Sequence, residues 1–287
     1  MDKIGKVLEK ANVADLQGWK PLDSNIDKND KGVVKRDSGV IESISKKQTP
    51  EQLSDTLEGP VDFRIVVYHN PESLAAEHFK VLRSSIMYPP DGREIKSVLV
   101  TSALEQEGKT MVSCNLAVSI AQSVDPYVLL IDGDVRRPSV QKTLGLRKSP
   151  GLTDYLLTGK PLSNFLMKGI LDKMTVLQAG STVRNPAELM TSDRMHQLIQ
   201  EARDRYADRL IVIDSPPVNL AAETLVLSKH VDVVILVVRY GVSDKNAVEE
   251  AINKLGKQKI LGVVFNGFEV KPRKYTYYKK SYYHTSY

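Results

Sequence analysis

Cysteine is almost absent from this sequence, whose 287 residues include only one, Cys114. A single cysteine excludes an internal disulfide bond and a cysteine-based metal cluster, and it fits a reducing compartment. We expect Cys114 to serve packing within a helix. Long apolar runs are lacking as well, because none reaches the roughly 18 residues that cross a bilayer. These absences predict a cytoplasmic chain without a membrane span of its own.

The net positive charge of the chain is confined to one short segment. The formal net charge is +5, and residues 271–287 alone contain five basic residues and no acidic one. The rest of the chain is therefore balanced in charge. A nucleic-acid-binding face would place positive charge on the folded body, so we expect no nucleic-acid partner.

Composition divides the chain into three parts. Residues 1–60 begin with an amphipathic helix over residues 1–11 and continue as a polar, flexible arm without a sustained period. Residues 61–270 alternate strand-like and helix-like stretches and form the predicted folded domain. Residues 271–287 hold six of the twelve tyrosines and no aliphatic residue, which indicates a solvated tail.

The central part predicts an α/β fold with a mostly parallel sheet and helices on both faces. Strands made almost entirely of Val, Ile and Leu are buried on both faces, as in parallel sheets. The predicted strands are Arg64–Tyr68, Ser97–Thr101, Tyr127–Ile131, Met174–Gln178, Arg209–Ile213, Val231–Val238 and Ile260–Phe265. The predicted helices are Glu72–Met87, Lys109–Gln122, Pro186–Tyr206, Ala221–Lys229 and Asp244–Leu255. Ligands of such sheets bind beyond the carboxyl ends of the strands.

A phosphate-binding loop follows the strand that ends at Thr101. Gly-Lys-Thr between a strand and a helix predicts that backbone N–H groups hold phosphates, that Lys109 reaches the β/γ-phosphates, and that Thr110 binds Mg²⁺ through its hydroxyl. The nucleotide-binding residues expected here are Glu105, Gln106, Glu107, Gly108, Lys109, Thr110 and Met111.

This loop departs from the usual pattern. The simple motif has a glycine where Ala103 stands, and Gln106 must adopt whatever conformation a glycine would take there. Such a change could slow turnover or weaken nucleotide binding.

Carboxylates follow two further strands. Asp132 and Asp134 come after the apolar run 128–131, and Asp214 comes after the run 210–213. The carboxyl ends of neighbouring parallel strands converge, and Mg²⁺ takes carboxylates together with a phosphate-loop hydroxyl and phosphate oxygens. Each aspartate alone could simply cap a turn. Together with Thr110, the three predict a magnesium site.

The order of these motifs resembles the bacterial tyrosine autokinases of capsular and exopolysaccharide synthesis. Members of that family carry a phosphate loop, an apolar run that ends in Asp-x-Asp-x-Arg, and another that ends in Asp-x-Pro-Pro. The second and third motifs are here Ile131–Arg136 and Ile213–Pro217. The family also ends in a tyrosine cluster. Residues 1–11 look like the opening of the stand-alone autokinases in exosortase-linked exopolysaccharide loci.

The resemblance implies phosphoryl transfer from ATP to tyrosine hydroxyls with Mg²⁺ as cofactor. Asp132 would orient or deprotonate the attacking hydroxyl, and Asp134 and Asp214 would hold the metal, although which of Asp132 and Asp134 is the base stays open. Asn266 would lie near the adenine. The expected phosphate acceptors are Tyr275, Tyr277, Tyr278, Tyr282, Tyr283 and Tyr287.

The resemblance also implies assembly. The family carries Glu-x-x-Arg-x-x-Arg in its first helix, and the counterpart here is Glu77, Lys80 and Arg83, spaced by three on one helical face. These residues would join subunits of a ring. A separate transmembrane chain-length or co-polymerase protein would activate the kinase and hold it at the inner face of the plasma membrane.

Two other functions compete with this interpretation. A ParA/MinD-type positioning ATPase shares the fold and the strand-end aspartates, but it has a second lysine where Leu104 stands. A non-catalytic adaptor with a degenerate nucleotide site would explain the unusual Glu105 and Gln106.

Overall fold

A seven-stranded sheet lies at the centre of the protein. The computed structural model describes residues 56–205 and 208–268. The strands are β1 Ser97–Ser102, β2 Tyr127–Asp132, β3 Leu166–Lys168, β4 Met174–Leu177, β5 Arg209–Asp214, β6 Val233–Arg239 and β7 Ile260–Asn266. Within the described residues the helices are α1 Val66–His69, α2 Leu74–Met87, α3 Lys109–Ala121, α4 Val140–Thr143, α5 Leu152–Thr158, α6 Pro186–Met190, α7 Asp193–Arg205, α8 Ala222–His230 and α9 Lys245–Leu255.

The sheet is mostly parallel, as predicted. Its strand order is β3-β4-β2-β5-β1-β6-β7, and β3 pairs antiparallel with β4 while the other neighbours pair in parallel. Alternate residues of each strand enter two separate hydrophobic cores, with Leu99 in one and Val98 in the other. Residues of α5 to α9 belong to the first core and residues of α1 to α4 to the second. Helices therefore cover both faces.

The prediction of a strand over Arg64–Tyr68 is wrong. This segment forms the short helix α1, which is held against α3 by the buried Asn115. The Asn115 Oδ1 accepts a hydrogen bond from the Val67 N–H at 3.2 Å, and its Nδ2 donates to the Arg64 carbonyl at 3.0 Å. The apolar alternation of Ile65 and Val67 is strand-like, but both side chains are buried in the second core. The other six predicted strands are confirmed to within two residues.

The predicted helix Pro186–Tyr206 is interrupted. It consists of α6 and α7, which are separated by Thr191 and Ser192. The Thr191 hydroxyl donates to the Ala187 carbonyl at 3.0 Å and the Ser192 hydroxyl to the Leu189 carbonyl at 2.7 Å. These side-chain bonds compete with the helical backbone pattern, which explains the break. The other four predicted helices are confirmed to within two residues.

Several predicted features lie outside the described residues. They are the helix over residues 1–11, most of the polar arm and the tyrosine tail over residues 271–287. Cys114 lies in α3 and is fully buried. In the part of the chain that the structure describes, no helix is both long enough and apolar enough to cross a membrane.

The contacts of Asn115 generate a stability prediction. We expect Asn115→Ala to lower the free energy of unfolding by about 1–3 kcal/mol, because it leaves the Val67 N–H and the Arg64 carbonyl without their partner. Urea denaturation followed by circular dichroism measures this change. The exposed Asn253, also in a helix, is the matched control. Asn253→Ala should change the free energy of unfolding by less than about 0.5 kcal/mol, and equal losses in the two variants would contradict the role given to Asn115.

Candidate active site

The phosphate loop connects β1 to α3 and depends on Gly108. This glycine has φ +94°, a conformation that side chains rarely adopt. A Cβ at this position would also lie 1.9 Å from the Nδ2 atom of Asn266. That Nδ2 donates to the Glu107 carbonyl at 2.9 Å. Only glycine fits, because the backbone is left-handed and the end of β7 approaches it closely.

Gln106 takes a glycine-like conformation, as the sequence predicted. Its φ is +61°, the one positive value for a non-glycine residue in the described ranges, at a cost of about 1–2 kcal/mol. The Nη1 of Arg239 donates to the Gln106 carbonyl at 3.1 Å. Next to it, the Glu105 carboxylate forms an ion pair with Arg137. Two arginines thus hold the unusual part of the loop.

Glu107 supports the loop from inside. Its side chain is 3% exposed, its Oε2 accepts from the Leu104 N–H at 2.9 Å, and its Oε1 accepts from the Ser243 hydroxyl. The carboxylate therefore points away from the place of a nucleotide, so only the backbone of Glu107 is available for phosphates. The Met111 side chain likewise packs against the second core.

Three aspartates meet the start of α3 at the carboxyl edge of the sheet. Asp132 and Asp214 are register partners on β2 and β5, and both are fully buried. The Lys109 Nζ donates to Asp134 Oδ2 at 2.8 Å. The Thr110 hydroxyl donates to Asp214 Oδ2 at 2.6 Å. The predicted convergence of these five side chains is therefore observed.

Asp132 has one free oxygen. Its Oδ2 accepts from the N–H groups of Ser139 and Val140, both at 3.1 Å. Its Oδ1 is buried and has no hydrogen-bond partner among the described residues. Burial, together with Asp214 and Asp134 nearby, raises the pKa of Asp132 to about 8, although the two backbone N–H groups oppose the shift. A carboxylate with such a pKa is suited to accept a proton near neutral pH.

The same burial and neighbouring charges shift the pKa values of Asp214 and Lys109. Burial raises the pKa of Asp214 to about 6, against the opposing effects of Lys109 and Thr110. Burial alone would lower the pKa of Lys109, but the carboxylates of Asp214, Asp134 and Asp132 outweigh it, and this pKa is raised. Lys109 therefore remains charged and partly compensates the acids.

The donor set fits Mg²⁺ when a nucleotide supplies further oxygens. In the described ranges no three acidic, histidine or cysteine side chains form a metal site by themselves. The hydroxyl of Thr110, the carboxylate of Asp214 and the unpartnered Oδ1 of Asp132 are hard oxygen ligands. Mg²⁺ typically takes one or two carboxylates and completes its shell with phosphates and water, which this arrangement permits.

Comparison with known proteins decides the family. No protein-family model matches the chain. The tyrosine-protein kinase YwqD of Bacillus subtilis (strain 168) is 34% identical over 217 residues, which cover 75% of this chain and 90% of YwqD. The chain belongs to the bacterial tyrosine-protein kinases. The putative tyrosine-protein kinase CapB of Staphylococcus aureus is 33% identical over 75% of this chain and 94% of its own length. The crystal structure of the chimerical protein CapA2B2 matches this tyrosine kinase with a TM-score of 0.67 and 30% identity, over 77% of this chain and 97% of that one.

Positioning ATPases resemble this kinase in fold alone. The septum site-determining protein MinD of Pyrococcus horikoshii OT3, solved with Mg-ADP, is 18% identical with a TM-score of 0.50, over 59% of this chain and 69% of that one. At such identity the likeness extends to the fold and no further.

A cavity of about 310 Å³ opens in front of the loop of this kinase. One wall carries Lys109 and Asp134, and the other is the segment Pro216–Ala221. Arg136 stands at the rim and forms a two-pronged ion pair with the buried Glu223, at 2.6 and 3.3 Å. The ion pair ties the Asp-x-Asp-x-Arg loop to α8.

The predicted site residues fall into three groups. The loop residues, Asp132, Asp134, Asp214 and Asn266 lie together at one edge of the sheet, and their roles with nucleotide stay predictions. The proposed interface residues Glu77, Lys80 and Arg83 lie elsewhere, on α2. The tail tyrosines lie outside the described residues. Sequence reasoning missed supporting residues of the site, which are Ser113, Ser139, Glu223 and Arg239.

A helical spacing could have revealed one of these missed residues. Ser113 lies one turn after Lys109 on α3, and its hydroxyl donates to Asp214 Oδ1 at 3.1 Å. Ser139 lies only seven residues after Asp132, which its N–H binds, but no helical spacing links the two. Glu223 and Arg239 are distant in sequence from the motifs that they support.

The raised pKa of Asp132 predicts a pH-dependent stability. Its unfolded pKa is about 3.9 and its folded value about 8. Its contribution to stability is therefore complete below pH ~4 and is lost as pH rises through ~8. Without nucleotide and metal, Asp132→Asn should gain at least about 1 kcal/mol over the wild type between pH 5 and 8, measured by urea denaturation.

Asp62 supplies a control of opposite sign. Its hydrogen bond from Arg64 lowers the pKa of Asp62 to about 2, so its contribution is present above the unfolded pKa and disappears as pH falls through ~2. Asp62→Asn should show no gain between pH 5 and 8. Parallel stability curves for Asp132→Asn and the wild type would contradict the assignment.

Proposed function

We propose that this chain is an ATP-dependent protein-tyrosine autokinase that modifies its own tail and thereby regulates exopolysaccharide synthesis or export. The observation that carries the proposal is the meeting of Lys109 and Thr110 with three carboxylates at one sheet edge, in a chain of the tyrosine-protein kinase family. The expected acceptors are the six tyrosines of residues 275–287.

Positioning and charge account for most of the catalysis. Lys109, held at 2.8 Å from Asp134, is placed to neutralise the β/γ-phosphate oxygens of ATP. Bound Mg²⁺ would supply positive charge at the same oxygens. Thr110 and Asp214 would hold it, which leaves the Oδ1 of Asp132, the third possible ligand, for the reacting hydroxyl. The loop N–H groups at the start of α3 orient the phosphates.

Asp132 is the proposed base. Its unpartnered Oδ1 is available to accept the proton of an incoming tyrosine hydroxyl, and its raised pKa brings it closer to the tyrosine value of about 10. Asp134 is a poorer base because its Oδ2 is bound to Lys109 and its Oδ1 accepts from the Arg137 N–H at 3.0 Å. This difference favours Asp132 between the two candidates.

A non-catalytic adaptor is the alternative that the strained Gln106 keeps open. Against it stand Gly108 and Lys109, which retain the geometry of a phosphate loop. Phosphotyrosine formation by the purified protein distinguishes the two functions.

Lys109→Ala should abolish autophosphorylation. The variant loses the lysine that we place at the phosphates, and we expect at least a ~100-fold fall in the rate of phosphotyrosine formation with ATP and Mg²⁺. An antibody against phosphotyrosine and mass spectrometry of the tail measure it. The exposed Lys148 is the control, and Lys148→Ala should react like the wild type. Unchanged phosphotyrosine in Lys109→Ala would rule out this site.

Self-association through α2 is a second part of the proposal. Within one chain Lys80 pairs with Glu77 at 2.6 Å, and Arg83 donates to the Ser119 carbonyl at 2.6 Å. Arg83 is thus already engaged, so the attraction between subunits needs another source. An exposed apolar stripe runs along the same helix and ends at the residue that follows it, with members seven residues apart: Leu74, Val81 and Tyr88 are 45%, 56% and 76% exposed. Such a face is suited to a second copy of the chain.

A membrane protein is the proposed activating partner. By the family resemblance, a separate transmembrane chain-length or co-polymerase protein would hold the kinase at the inner face of the plasma membrane. The predicted helix over residues 1–11 and the polar arm that continues to residue 60 are the candidate contacts.

Val81→Glu should weaken the assembly. A carboxylate in the middle of the apolar stripe would be desolvated between subunits, so we expect a shift towards the monomer mass in light scattering of the unphosphorylated protein. Val124→Glu is the control, because Val124 is 78% exposed and lies beyond α3. If both variants keep the mass of the wild type, α2 does not form the interface.

A further inference from the structure

A second concave region lies at the edge of the sheet opposite the phosphate loop. Its cavity of about 420 Å³ opens where α8 and α9 end and β7 begins. The lining includes Lys229, Lys254, Lys259, Leu225, Leu255 and Gln258. We call this region the lysine pocket.

The lysine pocket carries uncompensated positive charge. No carboxylate lines it. Lys254 pairs with Glu250 at 2.7 Å, but within the described ranges no carboxylate lies within 4 Å of the ammonium groups of Lys229 and Lys259. Lys259 donates to the Val231 carbonyl.

Asp232, the acidic residue that follows Val231, already has hydrogen-bond partners for both of its carboxylate oxygens. The Asp232 Oδ1 accepts from Arg203 at 2.9 Å, and its Oδ2 accepts from the N–H groups of Lys96 and Ser97 at 2.9 Å. Burial lowers the pKa of Lys259, and the positive charges of Arg93 and Arg203 add to that effect although Asp232 opposes it. An anion in the pocket would remove this repulsion.

Helix termini explain part of the cluster and leave the rest unexplained. Lysines in the last turn of a helix interact favourably with its dipole, which accounts for Lys229 on α8 and Lys254 on α9. Lys259 lies in the turn before β7, and the helix dipoles do not require a cavity between the three lysines. Nor do the dipoles explain why Leu225 and Leu255 form part of the cavity surface.

The shape and chemistry fit one kind of ligand. Leu225 and Leu255 offer an apolar surface for a ring, and the three ammonium groups with the Gln258 amide offer donors for a dianion. We propose that the lysine pocket binds a phosphotyrosine side chain of this kinase's own tail, residues 271–287. The proposal rests on the proposed function, which supplies the phosphotyrosine.

Charge makes this docking conditional on the reaction. The unmodified tail carries five basic residues and no acidic one, so the lysines repel it. Each phosphate adds a charge of about −1.5 to −2, and three of them bring the tail to roughly neutral or below. Phosphorylation thus converts repulsion into attraction.

The tail is long enough to reach. The pocket lies at the start of β7, whose seven residues span about 23 Å. Tyr277 follows Phe268, the last described residue, by nine residues, which extend to about 30 Å. Because β7 is an edge strand, the tail can run back along it without crossing the sheet. Docking there would draw the product away from the acidic catalytic edge.

A binding measurement with synthetic peptides tests the proposal independently of kinase activity. The protein is the full chain with its six tail tyrosines changed to Phe, which removes competition by its own tail. The probe is a fluorescein-labelled peptide of residues 271–287 with phosphotyrosine at positions 277, 278 and 282, followed by anisotropy. We expect binding of this peptide, at least ~10-fold weaker binding of the unmodified peptide, and a loss of at least ~10-fold in the variant K229Q/K254Q/K259Q.

Two controls locate the binding. The variant K148Q/K160Q/K168Q removes three exposed lysines elsewhere and should stay within about twofold of the parent affinity. Lys109→Ala should bind the phosphopeptide like the parent, because the catalytic edge is not the docking site. Lys229 is exposed and has no carboxylate partner among the residues that the structure describes. Lys229→Gln alone should weaken binding about threefold even if the triple variant is unstable.

The contrary results are equally clear. Equal binding of both peptides, or phosphopeptide binding that Lys229→Gln and the triple variant leave unchanged, would overturn the proposal. So would loss of binding in Lys109→Ala. Vesicles of phosphatidylglycerol that bind through the three lysines, while the phosphopeptide does not, would assign the pocket to lipid instead. If the wild-type chain forms no phosphotyrosine with ATP and Mg²⁺ but the pocket still binds the phosphopeptide, the proposed function is refuted. The pocket would then remain a phosphotyrosine-binding site.

Discussion

Two carboxylates buried side by side constrain the whole catalytic edge. Asp132 and Asp214 are register partners on adjacent strands, and ionising both in an apolar sheet is costly. The hydroxyls of Thr110 and Ser113 bind Asp214, and Lys109 supplies the compensating charge. This arrangement requires α3 to begin where it does and β5 to lie between β1 and β2. The loop, the strand order and the helix start thus together provide the partners that these two carboxylates need.

Most of the sheet could be predicted because its strands are nearly pure Val, Ile and Leu. Burial on both faces leaves little choice of residue, so the sequence pattern is strong at β2, β5 and β6. The segment Arg64–Tyr68 has the same pattern for another reason, since its apolar residues pack against helices. Local sequence cannot distinguish these cases, because the Asn115 contacts that hold it come from 48 or more residues away.

The candidate site could be predicted where chemistry imposes a motif. Lys109, Thr110 and the aspartates follow strands in a fixed order, and the structure brings them together. The direction of a side chain was not predictable: Glu107 points into the fold, and Arg83 binds a carbonyl of its own chain. Both depend on neighbours that are distant in sequence. The free oxygen of Asp132 is likewise a result of packing that no spacing reveals.

The contact between Asn266 and the phosphate loop has a consequence for biosynthesis. The loop follows the first strand of the sheet, whereas its partner ends the last described strand. Because domains fold as the chain leaves the ribosome from its amino end, the loop sequence emerges long before β7 can pair. A nascent chain that has not yet reached residue 266 lacks one wall beside Gly108. The nucleotide site is therefore finished only when the final strand is added, after the rest of the sheet has been synthesised.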